Sequence, residues 1–294
     1  MGNRSSAQGG GDPTHAAPGA GPDALGDSRL CGPRSIGYAG VHLTPRPALN
    51  VRVFASELEA AAVCAAHIAA ALREKPSLVL GLPTGRTPLN VYRQMVALHQ
   101  SGELDLSRAT TFNLDEFLGL PPDDPCSLRA YMDRHLFRHV NLAPERVYFL
   151  DGSAERAEWE CARYDAKLAQ AGGLDLLLLG IGSNGLVAFN EAGDSLQAAS
   201  HRVRLSRETR LGMASFFGDD VSKVPLAALT LGMGSLFQAR RVILLAFGVR
   251  KAAAVTALVR GPITSHCPAS LLQLHGNVEV WVDTEAGRGL EGTS

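Results

Sequence analysis

Short, continuous runs of apolar residues recur along this chain, separated by stretches with helical character. Seven strand candidates, each rich in apolar residues, lie at residues 49–55, 77–82, 109–114, 147–150, 174–179, 241–247 and 278–282. Continuous apolar runs of this length are typical of strands that are covered on both faces. The pattern predicts an α/β fold, with a mainly parallel sheet and helices on both faces, in a single domain.

Capping residues mark where helices are expected to begin between these strands. Ser56, followed three residues later by Glu59, forms a capping box ahead of an alanine-rich stretch. Thr87 followed by Pro88 predicts that the next helix has Thr87 as its cap and proline at its first position. A further helix is expected over residues 153–170.

The overall composition excludes several classes of protein. Hydrophobic residues make up 46% of the 294 residues, so a substantial core can form, and the formal net charge is −1. A broad nucleic-acid interface needs a clustered excess of Lys and Arg, so no nucleic-acid partner is expected. No apolar run reaches the roughly 20 residues of a membrane span, so no membrane partner is expected either.

The five cysteines are scattered, odd in number and without a CxxC pair. This spacing argues against a disulfide framework or a zinc site and favours a cytoplasmic location. A lone cysteine nucleophile is left open.

The first 35 residues differ in composition from the rest of the chain. They are rich in Gly, Ala, Pro and Asp and carry almost no large apolar side chains. Such a segment cannot bury enough apolar surface to offset the entropy that is lost on ordering. We therefore predict a disordered tail over residues 1–35 and one folded domain over residues 36–294.

Unusual polar sequence follows four of the predicted strands. These segments are GLPTGRTP (81–88), NLDEF (113–117), GIGSNGLVAFNEAG (180–193) and GVRKA (248–252). In open α/β sheets, ligands bind at the carboxyl ends of the strands. The chemistry of the protein is therefore expected in these four segments.

The segment GLPTGRTP joins a buried strand to the start of a helix. Backbone N–H groups at such a start, with the helix dipole behind them, form an anion site. The hydroxyl groups of Thr84 and Thr87 add donors, and Gly85 lets the backbone approach a ligand closely. The Gly-Lys-Ser/Thr ending of a P-loop is absent. An ordinary turn with helix caps is the structural alternative.

The segment GIGSNG (180–185) matches GxGxxG after a strand, which raises a dinucleotide site as a rival interpretation. Such a site continues into a long helix, and an acidic residue ends the next strand. Here VAFNEAGDS places Gly, Asn and Asp within a few residues, and the next strand, HRVRL, ends without an acidic residue. Both observations count against a dinucleotide site.

Asp115 and Glu116 place two carboxylates directly after an apolar strand. A partly desolvated carboxylate in that position can abstract a proton alpha to a carbonyl group. A helix cap or a salt-bridge partner is the structural alternative, and the two interpretations stay open.

Together, GLPTGRTP, FNLDEF, GIGSNGLVAFNE, GVRKA and PASLLQLH resemble the glucosamine-6-phosphate deaminase family in order and spacing, over about residues 50–283. The resemblance implies a Rossmann-like fold and conversion of glucosamine 6-phosphate to fructose 6-phosphate plus ammonia, a step of amino-sugar metabolism. It implies a small phosphosugar as partner, with no metal and no organic cofactor. Members range from monomers to hexamers, so a homo-oligomer is left open.

The resemblance also implies roles for individual residues. Asp115 matches the general base that moves a proton between C2 and C1 of the sugar. Thr84, Gly85 and Thr87 match the phosphate loop, and Lys251 matches a phosphate-binding lysine.

The ring-opening part of the family's motif is altered in this chain. Glu191 matches the glutamate that supports ring opening, but Leu186 stands where the family has the ring-opening histidine. Leucine can neither accept nor donate a proton. Asn184, counted here with the catalytic residues, occupies a position that is Asp in some members and Asn in others.

The phosphate grip is altered as well. Ser215 stands where a phosphate-binding arginine is expected, and Arg86 occupies a loop position that is more often small. We hypothesise that Arg86 partly replaces the missing guanidinium through bidentate contacts to phosphate.

Three functions fit these residues. The chain is a deaminase with weakened ring opening, an isomerase or deaminase of a related phosphosugar that arrives already open, or a non-catalytic phosphosugar sensor. Asp115 favours catalysis, because a pure binder has little use for an unpaired carboxylate facing the sugar. A lactonase is less favoured, because that chemistry in the related fold relies on the same histidine.

Overall fold

The computed structural model describes residues 49–290, so the predicted tail over residues 1–35 lies outside the described part. Ten strands follow in chain order: β1 (Asn50–Phe54), β2 (Val79–Leu82), β3 (Thr110–Asn113), β4 (Asp115–Phe117), β5 (Val147–Tyr148), β6 (Leu176–Gly180), β7 (His201–Arg204), β8 (Ala227–Thr230), β9 (Val242–Ala246) and β10 (Val278–Asp283). Seven of them form one sheet in the order β1-β10-β9-β6-β2-β3-β5, and all neighbouring pairs are parallel.

Helices cover both faces of this sheet. They are α1 (Glu57–Glu74), α2 (Arg86–Gln100), α3 (Leu128–His135), α4 (Ala157–Gln170), α5 (Arg207–Met213), α6 (Met233–Phe237) and α7 (Ala252–Arg260). In β6, Leu176 and Leu178 pack with α1, α2 and α3, whereas Leu177 and Leu179 pack with α4, α6 and α7. Both faces of the strand are therefore buried, which confirms the predicted α/β fold class. Among residues 49–290, no helix has the length and apolar character that a membrane span requires.

A second, three-stranded sheet was not predicted. It has the order β4-β8-β7 and is antiparallel, with Asp115 opposite Thr230. The chain passes from β3 to β4 through the single residue Leu114, so Asp115 opens a strand of the small sheet as well as following a strand of the large one. This double constraint fixes the backbone of Asp115 on both sides.

The start of α1 agrees with the predicted cap at Ser56, but Glu59 reaches back to the residue before this cap, so the capping box is only partly formed. The Ser56 hydroxyl accepts the N–H of Glu59 at 3.2 Å, and the Glu59 carboxylate accepts the N–H of Ala55 at 2.9 Å. The prediction that Thr87 caps α2 was wrong. Gly85 is the N-cap, because its φ of 104° is a conformation that glycine adopts without steric cost. Pro88 falls in the first turn, where its missing N–H costs nothing.

The predicted start of the helix over residues 153–170 was also wrong. Ser153 donates its N–H and its hydroxyl to Asp151 Oδ1, at 2.9 and 2.6 Å. This local turn competes with the helix, so α4 begins only at Ala157.

Candidate active site

The four polar segments follow four strands that are neighbours in the sheet, in the order β9-β6-β2-β3. Because these strands are parallel, their carboxyl ends lie at the same edge. The four segments in which the chemistry is expected therefore lie together at one edge of the sheet.

The start of α2 is built as an anion site. Gly85 has no side chain to cap the first turn, so the N–H groups of that turn are left for a ligand. The carbonyl oxygen of Gly85 accepts a hydrogen bond from the Tyr131 hydroxyl at 2.6 Å, which fixes the loop against α3. Thr84 and Thr87 are half-buried, and Arg86 is exposed at the first helical position.

A cluster of positive charge faces this helix start. Lys251 ends the short 3-10 helix Val249–Lys251, which follows β9, and its side chain is half-buried. Burial lowers the pKa of Lys251, and the charges of Arg250 and Arg86 lower it further, while Glu208 opposes them. An anion bound between these groups would relieve this repulsion between like charges.

Asp115 is an acidic residue at the strand ends whose pKa is strongly raised and whose carboxylate does not hold the backbone of a helix or strand. Its side chain is only 6% exposed, and among residues 49–290 no group donates a hydrogen bond to its Oδ1. Burial raises the pKa of Asp115 to about 7, and the charge of Glu116 acts in the same direction. The hydroxyl of Thr84, in the anion loop, opposes the rise. A carboxyl group with a pKa near neutrality can both take and return a proton.

Glu116 has the structural role that was left open for this pair of carboxylates. Its Oε1 accepts the N–H groups of Phe117 and Leu128, and its Oε2 accepts that of Arg129, at 2.8 to 2.9 Å. It therefore supports the first turn of α3 beside the N-cap Ser127. Burial raises the pKa of Glu116, and the three backbone hydrogen bonds oppose the rise. Both oxygens of this carboxylate are occupied, which leaves Asp115 as the free one.

Replacing Glu116 by glutamine is expected to lower the free energy of unfolding by about 1–3 kcal/mol where the wild-type carboxyl group is protonated, because one buried N–H of α3 would lose its acceptor. Chemical denaturation at pH 6, below the raised pKa of about 7 of Glu116, measures this change without the cost of ionising a buried carboxyl group. Glu158→Gln, on the exposed face of α4, is the matched control and should change stability by less than about 0.5 kcal/mol. An unchanged stability of Glu116→Gln would show that the carboxylate is not a structural cap.

The loop after β6 folds without a helix. Residues 181–200, all of them described, form turns and one isolated bridge, so the rival dinucleotide interpretation is wrong. Ala188 lies in this loop with a φ of 49°, a conformation that non-glycine residues rarely adopt and that often marks functional loops. The buried amide of Asn190 holds the turn by donating to the carbonyls of Val187 and Leu231.

The same loop carries the three residues connected with ring opening. Asn184 Oδ1 accepts the N–H of Leu186 at 3.3 Å, and the Leu186 side chain is half-buried. Glu191 Oε1 accepts the N–H of Ser206, the N-cap of α5, at 2.8 Å. Glu191 is therefore held by backbone and not by the side chain at position 186.

The structure thus brings Thr84 to Asp115, and Arg86 to Lys251, from separate parts of the chain. Sequence reasoning did not separate the roles of Asp115 and Glu116, and it missed Glu208. Glu208 lies in the first turn of α5, where an acidic residue favours the helix dipole, so no local signal distinguishes a second role. Within residues 49–290 there is no group of three or more His, Cys, Asp and Glu side chains arranged to hold a metal ion.

Comparison with known proteins gives consistent similarities. The family model for glucosamine-6-phosphate isomerases/6-phosphogluconolactonase matches residues 55–281. Glucosamine-6-phosphate deaminase 1 of Giardia intestinalis is 45% identical over 233 residues, covering 79% of this chain and 88% of the relative. Glucosamine-6-phosphate deaminase 2 of Bacillus subtilis (strain 168) is 40% identical over 231 residues, covering 78% and 93%.

Solved structures agree with this result. A structure described as a monomeric glucosamine-6-phosphate deaminase superposes with a TM-score of 0.79 at 40% identity, covering 82% of this chain and 99% of that one. A 6-phosphogluconolactonase from Trypanosoma cruzi superposes with a TM-score of 0.67 at 20% identity, covering 85% and 100%. At that identity the second similarity concerns the fold alone.

Proposed function

Because this chain belongs to the glucosamine-6-phosphate isomerase/6-phosphogluconolactonase family, we propose that it converts glucosamine 6-phosphate to fructose 6-phosphate and ammonia. The names of its deaminase relatives support this function, since they are 39–47% identical over most of the chain. The observation that carries it is the buried, partnerless oxygen of Asp115 beside the anion loop. Proton NMR of glucosamine 6-phosphate incubated with the protein tests it, and a spectrum in which no fructose 6-phosphate forms would contradict it.

The phosphate group of the substrate binds at the start of α2. The first-turn N–H groups and the hydroxyls of Thr84 and Thr87 donate to its oxygens, and Lys251 supplies positive charge. Support for this placement comes from the half-buried ammonium of Lys251, whose neighbours Arg86 and Arg250 carry like charges. Binding a dianion there removes a repulsion instead of creating one.

Asp115 then moves a proton between adjacent carbons of the open-chain sugar. Its carboxylate takes the proton from C2 while one proton of the C2 ammonium group passes through solvent to the aldehyde oxygen, which gives an enolamine. The protonated carboxyl group then returns its proton to C1, and a hydroxyl group on C1 and an iminium group at C2 result. Water adds to the iminium carbon and ammonia leaves, so that a ketone remains at C2. The raised pKa of Asp115 favours this cycle because both protonation states are accessible near neutral pH.

In this protein, ring opening is catalysed less effectively than the proton transfer between C2 and C1. The ring oxygen must gain a proton and the C1 hydroxyl must lose one, and Leu186 can do neither. Because position 186 is leucine, Glu191 has no imidazole to orient. Its carboxylate accepts the N–H of Ser206. We therefore propose that substrate that has opened spontaneously supplies much of the flux. The cytoplasmic location stays a prediction, and a homo-oligomer stays open.

Arg86→Ala is expected to weaken the binding of glucosamine 6-phosphate by about tenfold, because one charged hydrogen-bond donor to the phosphate is lost. Isothermal titration calorimetry measures the dissociation constant directly. Arg93→Ala removes an exposed arginine from the next turns of the same helix and should leave the affinity unchanged. An affinity of Arg86→Ala equal to that of the wild type would exclude Arg86 from the phosphate site.

A further inference from the structure

The first turn of α5 is tied to the loop after β6 at two points. The Ser206 N–H donates to Glu191 Oε1 at 2.8 Å, and the Ser183 hydroxyl donates to Glu208 Oε1 at 2.8 Å. The strand β6 that leads into this loop is the direct neighbour of β9, which leads to Lys251. The Glu208 carboxylate is therefore held at the same edge of the sheet as the cluster of Arg86, Arg250 and Lys251.

The positive charges around Lys251 are only partly balanced, by Glu208. Arg86 and Arg250 both repel its ammonium group, and Glu208 is the acidic residue that attracts it. Lys251 forms no salt bridge within 4.0 Å in the part of the chain that the structure describes. Glu208 thus acts across a longer distance, as a partial counter-charge and not as a bonded partner.

The Glu208 carboxylate is only weakly fixed in its position, so a ligand that binds nearby can displace it. Both Glu208 and Ser183 are exposed, and one neutral hydroxyl group provides the hydrogen bond between them. A hydrogen bond between two exposed side chains is readily exchanged for hydrogen bonds to water. An arriving phosphate, with a charge near −2, competes with this single carboxylate for the same cations.

We propose that Glu208 is an affinity-determining residue of the anion site: its carboxylate partly neutralises the cation cluster in the free protein and opposes any incoming anion. The inference rests on the phosphate-binding half of the proposed function and is independent of turnover.

The test measures the binding of inorganic phosphate and of glucosamine 6-phosphate by calorimetry at low ionic strength. Glu208→Gln keeps the acceptor for Ser183 but removes the charge, and it should bind both ligands about three- to tenfold more tightly than the wild type. The advantage should shrink towards twofold or less at about 0.5 M salt, because exposed charges are then screened.

Two control variants separate charge from structure. Glu158→Gln makes the same substitution in the first turn of α4 and should bind phosphate as the wild type does. Ser183→Ala removes the hydrogen bond but keeps the charge, so its affinity should stay within about twofold of the wild type. An unchanged or weaker affinity of Glu208→Gln would overturn the inference, as would a Ser183→Ala variant that binds as tightly as Glu208→Gln. Wild-type protein that binds neither ligand would instead contradict the phosphate site itself.

Discussion

Asp115→Asn is expected to reduce kcat for glucosamine 6-phosphate by about 10²–10⁴-fold, because no other group replaces the carboxylate that carries the proton. The amide of asparagine has nearly the same shape as the carboxylate but cannot accept a proton at neutral pH. Since the Thr84 loop and Lys251 are untouched, the dissociation constant for the phosphosugar should change much less than kcat. Asp123→Asn, an exposed residue outside the site, should leave kcat unchanged.

The stability of Asp115→Asn and the pH dependence of kcat/KM are two independent tests of the role of the Asp115 carboxylate. Folding raises the pKa of Asp115, so ionising it costs free energy in the folded state. Asp115→Asn should therefore be as stable as the wild type at pH 8, or more stable. For the wild type, kcat/KM should fall towards acid with an apparent pKa near 7, because the base must be ionised to take the proton. A large loss of stability in Asp115→Asn would show that the carboxylate serves the fold.

Leu186→His is expected to increase turnover of glucosamine 6-phosphate, by up to about 10²–10⁴-fold where ring opening limits the rate. An imidazole at this position can accept and donate the protons that ring opening requires, and Glu191 lies in the same loop to orient it. The coupled measurement of ammonia release gives kcat for both proteins under identical conditions.

Leu186→Gln provides the matched control for this gain. Glutamine adds polarity and hydrogen bonds at the same position but cannot transfer a proton at neutral pH, so it should not raise kcat. A gain in both variants would indicate a simple effect of polarity. No gain in Leu186→His, with turnover of an acyclic phosphosugar by the wild type, would mean that Leu186 lines the wall of a site for pre-opened substrates.

Much of the fold could be predicted because the strands of a sheet buried on both faces are continuous apolar runs. Runs such as 174–179 need no partner elsewhere to be identified. The small antiparallel sheet could not be predicted in the same way, because β4 is only three residues long and begins with two acids. Its existence depends on pairing with β8, more than 100 residues later in the chain. The predicted start of α4 was wrong because a local turn at Ser153 competes with the helix.

The position of the candidate site could be predicted from the order of the strands and from the short motifs that follow them. The four segments could be placed at one edge of the sheet because parallel strands bring their carboxyl ends together. The separate roles of Asp115 and Glu116 could not, because they depend on where α3 begins in space and on which oxygens its N–H groups reach. The influence of the Glu208 charge on Lys251 likewise depends on how distant elements are placed in space.

A coupled assay that counts ammonia and fructose 6-phosphate together tests the central claim most directly. With glucosamine 6-phosphate as substrate, the wild type should release the two products in equal amounts, Leu186→His should release them faster, and Asp115→Asn should release almost none. Tight binding of the phosphosugar with neither product from the wild type or from Leu186→His would contradict the claim and would make the chain a phosphosugar-binding protein without turnover.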